Sequence, residues 1–382
     1  MQIDRRRFLQ QITLCAGGLA LLPFPGQVLA KAARFSAKKR ANQAHGSLLQ
    51  LQPKKLAILD LATEKNFLMD IENEFGHSVL GHKEKFAVLI DQAGPLVSVV
   101  DLEKKKSIAK IRANAGGEFS GHGCFSPDGN ILYLAEYPAE KTAHGSVRRF
   151  ETKTWKQIGS FSSGGAQSHY IIPLKGGAVL AVGHYGRVVA LDKPYKDGVL
   201  TLLDATSGRI LDTISAKNEF HSLCHIDKTS DDRLVISTRA WINKTLNGKI
   251  ANDNFSTPVV FGSPFKKDWH EARPTALAEA MRLSLTVKID EGRRAVLVAH
   301  MKGRRVSKWN IDSSALLCQR DFGDEEPMGV GLDPNSDLYL ATTTHNKLHF
   351  LAPHDLSTVR TVALPPTDRP APHFEILSGS FS

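Results

Sequence analysis

One phrase recurs seven times along this chain of 382 residues, and five of the seven repeats open with a histidine. Each repeat reads as a short apolar strand, a polar turn, a second strand, a gap, a third strand and a fourth. The third strand is the plainest: LAILD ends at Asp60, VSVVD at Asp101, VRRFE at Glu151, LTLLD at Asp204, PVVFG at Gly262, VSKWN at Asn310 and LHFLA at Ala352. The steps are 41, 50, 53, 58, 48 and 42 residues. A period of about 40–50 residues with four short strands per unit marks a β-propeller. The expected fold is all-β: a seven-bladed β-propeller with four antiparallel strands per blade. Its ring is expected to close between the N- and C-terminal segments, within one domain over residues 53–382. Such a fold gathers function around a central channel, on the face where the innermost strands begin.

The turns after the first strands are rich in Gly, Asp, Asn and Ser, as in Ser126-Pro127-Asp128-Gly129 and Asp333-Pro334-Asn335-Ser336. These residues supply tight hairpins. The second strands (FAVLI, ILYLA, AVLAV, RLVIS, AVLVA, LYLAT) are apolar on both faces, as suits strands sandwiched between neighbouring blades. Between the fifth and sixth third strands, Arg273 to Arg282 predicts one short helix opened by Pro274. Residues 240–257 read as a long polar loop.

The net charge of +10 is unevenly spread. Residues 1–30 contribute +2 and residues 31–55 contribute +7, which leaves +1 for the body. The basic charge sits in a tail, so nucleic-acid binding is not expected. Residues 1–30 read as an export signal: a basic start, an apolar run from Ile12 to Leu22, and a small-residue end at Val28-Leu29-Ala30. Asp4-Arg5-Arg6-Arg7-Phe8-Leu9-Gln10 resembles the twin-arginine (Tat) motif. The apolar run of about 11 residues is too short to span a bilayer as a helix. A periplasmic protein with no membrane span in its mature chain is therefore expected. Residues 31–52 form a basic flexible lead-in. The mature chain keeps three cysteines, Cys124, Cys224 and Cys318, with no metal-type spacing, and these read as buried inert thiols.

Aligned first strands give a column: His77, His122, His169, His221, Leu283, Gly329 and His373. The second strands end in register at Asp91, Glu136, His184, Arg239, His300 and Thr343. Histidines and carboxylates far apart in sequence thus converge on one channel mouth. The candidate metal ligands are His77, His122, His169, His221, His373, Glu136, His184 and His300, with iron or another transition metal as the ion. The competing reading makes each histidine a packing residue that bonds backbone at a strand start. A third makes Glu136 a catalytic acid/base in a lactonase- or hydrolase-like propeller. A fourth is a metal-free docking scaffold. The chain lacks GxSxG, HExxH, a phosphate-binding glycine loop and CxxCH, and the last absence excludes a covalent c-type haem.

The export motif, GHGCFSPDGNILYLAEY (121–137), SHYIIP, HSLCH (221–225) and LTLLDATSGRILDTI (200–214) together resemble a Tat-exported bacterial family called domain of unknown function 1513. The resemblance covers roughly residues 53–380. It implies a seven-bladed propeller of the YVTN and WD40-like group with no assigned activity. It also implies periplasmic iron-uptake partners, imelysin-like and di-haem peroxidase-like proteins.

Overall fold

The computed structural model describes residues 46–140, 143–188, 195–216, 221–240, 259–272, 281, 283–367 and 370–378. Apart from Met281, the proposed helix at 273–282 lies outside these residues, as does nearly all of the polar loop at 240–257. So do the export segment and residues 31–45.

The described body is all-β, and its third strands fall where the repeat puts them: Lys55–Asp60, Leu96–Asp101, His144–Glu151, Val199–Asp204, Val259–Gly262, Arg305–Asn310 and Lys347–Leu351. Five four-stranded antiparallel sheets form, together with one eight-stranded sheet and a two-stranded ribbon. The eight-stranded sheet is two four-stranded meanders joined where Phe86–Gly94 pairs with Glu118–Phe125 through Gln92 and Gly94. One sheet unites distant segments: Phe374–Leu377 pairs with Ser47–Gln52, which pairs with Lys55–Asp60 and then Asn66–Asp70. Strand Ser47–Gln52 is fully buried. It corrects the reading of residues 31–52 as lead-in, because LLQLQ supplies a strand of the body. Among the described residues no helix is long and apolar enough to cross a membrane.

Burial follows strand order. Second strands such as Val179–His184 and Ala295–His300 are buried at every position, because neighbouring sheets cover both faces. Outer strands such as Lys106–Arg112 alternate exposed and covered residues. Each fully buried Leu or Val contributes roughly 1.5–3 kcal/mol, so the inner strands carry most of the stability. The acid that ends many third strands has a local cause. Asp60 accepts from the amides of Ala62 and Thr63, Asp204 from Thr206 and Ser207, and Asn310 from Asp312 and Ser313. This side-chain turn stops the strand and aims the chain into the fourth.

The first strands pack one on the next. Hydroxyls stitch neighbouring meanders: Ser78 donates to the Gly121 carbonyl, Ser120 to the His169 carbonyl at 3.0 Å, and Ser222 to the Tyr185 carbonyl at 2.6 Å. Ser237 donates to Leu285 at 3.0 Å and Thr286 to Met328 at 2.8 Å. A Cβ on Gly329 would stand 2.9 Å from the Phe374 ring, so the strands around these two residues are also in contact.

Candidate metal centre

Every first strand from Gly76 to Leu332 breaks register once with its second strand. The shifts fall between Gly76 and Ser78, Phe119 and Gly123, Ser168 and Tyr170, Leu223 and Ile226, Ser284 and Val287, and Pro327 and Gly329. A bulge re-aims the side chain beside it. The residue just before pairing resumes is His77, His122, His169, His225, Thr286 or Met328 in turn. His373 stands in the same place before Phe374, which pairs with Gln50. This column holds five histidines, a threonine and a methionine, and its imidazoles draw together.

His77, His122, His225 and His373 each offer a ligand atom, and these atoms all lie within 4.8 Å of one another. All four side chains are buried. His77 Nε2 lies 3.0 Å from His122 Nε2. Two ligand nitrogens of a tetrahedral ion bound at about 2.0–2.1 Å stand about 3.3 Å apart, so this spacing suits a shared ion. The widest separation, 4.8 Å, closes onto one tetrahedral ion if the two rings draw in by about 0.7 Å each.

His169 is grouped with them but plays another part. Its Nε2 faces His225 Nε2 at 3.1 Å and the Tyr185 hydroxyl at 2.9 Å, while its Nδ1 meets the Tyr137 hydroxyl at 3.2 Å. The Tyr185 ring stacks on it at 4.2 Å. With both nitrogens engaged, His169 orients His225 and is not a member of the four-ligand group.

The hydrogen-bond network assigns the tautomer of His373. Thr286 has one hydroxyl proton, donated to the Met328 carbonyl at 2.8 Å. The 3.4 Å contact between Thr286 Oγ1 and His373 Nδ1 is therefore donated by the ring. His373 Nε2 then carries a lone pair, and it is buried without a hydrogen-bond partner. Burial pushes His373 down to about 3. Desolvation, then the neighbouring imidazoles, hold His122 well below its ordinary range. Neutral imidazole is the metal-binding form.

Glycine permits the crowding. Gly121 has φ +95° and a Cβ there would lie 2.3 Å from His77 Cδ2. A cavity of about 320 Å³ opens over the group, lined by His77, His225, Tyr185, Met301, Met328 and Glu74 among others.

The remaining sequence candidates stand elsewhere. His221 pairs opposite Ala240, on the far side of the Leu223–Ile226 bulge, and is not in the group. His225 takes the place expected for it. Counting back three to five residues from the end of each first strand finds His77, His122, His169, His225 and His373; counting from the strand start misses His225. The second-strand ends do align, each opposite a residue before the bulge, and the histidines and acids among them are bonded elsewhere. His184 bonds Ser163 Oγ and the Val199 carbonyl, both at 3.1 Å. His300 bonds Ser284 Oγ at 2.9 Å and Ser307 Oγ at 2.7 Å. Glu136 accepts from Arg148 at 2.8 Å and from the Asn114 amide at 2.9 Å. Asp91, pushed up to about 6 by burial, is bonded by Asn73 at 3.0 Å. Cys224 is buried, while Cys124 and Cys318 are half-buried and form no disulfide.

An all-β body of four-stranded antiparallel sheets, with imidazoles gathered where the first strands meet, defines a propeller-like protein. The chain belongs to the family described as "Protein of unknown function (DUF1513)", whose model matches residues 73–364. No curated protein matches it. Among solved structures it is similar to a chain of Kuenenia stuttgartiensis hydrazine synthase, with TM-score 0.65 and 14% identity over 79% of this chain and 90% of that one. It is also similar to a chain in a crystal structure of the mitotic checkpoint complex, with TM-score 0.56 and 11% identity over 76% and 80%. At these identities the likeness concerns the fold alone.

Proposed function

We propose that this chain is a seven-bladed propeller whose ring closes through the pairing of Phe374–Leu377 with Ser47–Gln52, and whose hub holds a transition-metal ion. The sheets of the described body resolve into seven four-stranded meanders on this reading. The observation that carries the metal is the group His77, His122, His225 and His373, four buried imidazoles within 4.8 Å. A purely structural cluster would satisfy its ring nitrogens, as His184 and His300 do. His373 instead keeps a buried lone pair with no partner. The ligands come from four of these meanders, so the ion would also tie the hub together. The protein then acts as a binding module, exported by the Tat route to the periplasm. Iron handling alongside imelysin-like and di-haem peroxidase-like partners is the role the family resemblance suggests.

A hydrolase built on Glu136 has less support, because Arg148 and Asn114 occupy both carboxylate oxygens. The test is elemental analysis of the mature chain purified from periplasm. One ion per chain, lost in His122→Ala, supports the proposal. A wild-type protein that carries no metal and takes up none refutes it.

A further inference from the structure

We propose that the ion this hub selects is copper, held as Cu(I). The inference rests on the metal-centre reading above, specifies its ion, and replaces the iron role that the family resemblance suggests. Three observations carry it.

The first is the donor set. The group of four is all imidazole, and among the described residues no carboxylate joins it. Carboxylate and carbonyl sites suit hard ions such as Mg, Ca and Mn, imidazole suits Zn, Cu, Fe and Ni alike, and thioether selects Cu(I), so this donor set excludes the hard ions and leaves the choice of copper to the sulfur and the charge. Three acids near the hub are engaged elsewhere, and a fourth, Glu375, two residues from His373, is not one of the group of four. Glu136 is bound by Arg148 and Asp91 by Asn73, while Glu74, at the cavity, is exposed and pairs with Lys54 at 3.2 Å.

The second is sulfur. Met328 occupies the position in its strand that His77, His122 and His225 occupy in theirs, just before pairing resumes. Met328 and Met301 both line the cavity over His77 and His225. The chain has only five methionines, so two at one cavity are a concentration of soft donors. A thioether is a poor ligand for Fe(II) or Zn(II) and a good one for Cu(I).

The third is charge. Neutral histidines cancel none of the ion's charge, and the group is buried. The cost of burying an uncompensated ion rises with the square of its charge. A monovalent ion is therefore less costly here than any divalent one, and Cu(I) is the monovalent ion that binds imidazole and thioether tightly.

The test is competition on the mature chain under ascorbate, with Cu(I) presented in a coloured chelator complex. Zn(II), Fe(II), Co(II) and Ni(II) are titrated separately. The expected result is one Cu(I) withdrawn per chain, with at least ~10-fold preference over Zn(II). His373→Ala should abolish withdrawal. Met328→Leu, checked by circular dichroism for an unchanged fold, should weaken Cu(I) and leave Zn(II) affinity as it was. Tighter binding of Zn(II) or Fe(II), or a Met328→Leu variant with wild-type Cu(I) affinity, overturns the copper inference and leaves the metal centre standing. Binding of no ion at all overturns both. Cu(I) uptake that survives His373→Ala places the ion on exposed histidines and overturns the inference as well.

Discussion

His122 and His77 face each other through their Nε2 atoms at 3.0 Å, although 45 residues separate them in the chain. The His122 ring also lies within 4.6 Å of His169, 5.1 Å of His225 and 4.6 Å of His373. It is the imidazole around which the others are arranged.

That contact depends on a residue with no side chain. Gly121 combines φ +95° with a Cβ position 2.3 Å from the His77 ring. Gly121→Ala must both strain the backbone, at about 1–3 kcal/mol, and displace His77. The expected outcome is a lowered thermal midpoint together with weakened metal binding. Thermal unfolding and metal titration on the same preparation check it.

Tyr185 supports the site from outside. Its hydroxyl holds His169 Nε2 at 2.9 Å, and His169 in turn orients His225. Supporting partners of this kind are worth roughly 10–100-fold in metal affinity. Tyr185→Phe keeps the stacked ring and removes only the hydroxyl, so affinity should fall within that range while stoichiometry stays at one. Chelator competition reads the affinity directly.

Arg148 and Glu136 form a buried ion pair, with side chains 7% and 3% exposed. Removing one partner leaves a buried charge alone, at a cost of about 3–5 kcal/mol. Arg148→Met should therefore destabilise the protein by that order without changing metal content. A loss of bound metal with intact stability would instead make Glu136 part of the site.

Acid should weaken the fold through histidines outside the metal group. His300 is pushed down to about 3 and His184 to about 4, each mainly by burial. Both are neutral when folded and take a proton near 6.5 when unfolded. Their contribution is constant above that value and is lost as the pH falls from about 6.5 toward 4 and 3. Linkage puts the loss at about 2 kcal/mol for each histidine by pH 5. Urea midpoints at pH 7, 6 and 5 should fall accordingly, and His300→Gln should flatten the slope.

The repeat was legible because Asp60, Asp204 and Asn310 each end a third strand for the same local reason, a side-chain turn that needs no tertiary context. The histidine at the front of most first strands was legible too. What escaped was the bulge. Between Leu223 and Ile226 the fourth first strand slips against its partner, and the histidine group receives His225 where simple alignment offers His221. A bulge of this kind is set by how Ser222 and Ser237 bond to the neighbouring sheets, and that information is not local. Glu136 was misplaced as a metal ligand for a related reason. Its partner Arg148 lies on the adjacent strand, and alternation of apolar residues says nothing about which acid has a base beside it.

The pairing of Phe374–Leu377 with Ser47–Gln52 sets the timetable of the hub. Gln50 donates to the Ala371 carbonyl at 3.0 Å across 321 positions of sequence, two residues before His373. Contacts this distant form late, because the entropy of joining remote segments must be met before they stabilise anything. Three of the four imidazoles can stand in place while the fourth is still outside. A tightly held ion would therefore mark a molecule whose folding has finished, and a chain clipped before His373 would betray itself by failing to keep one.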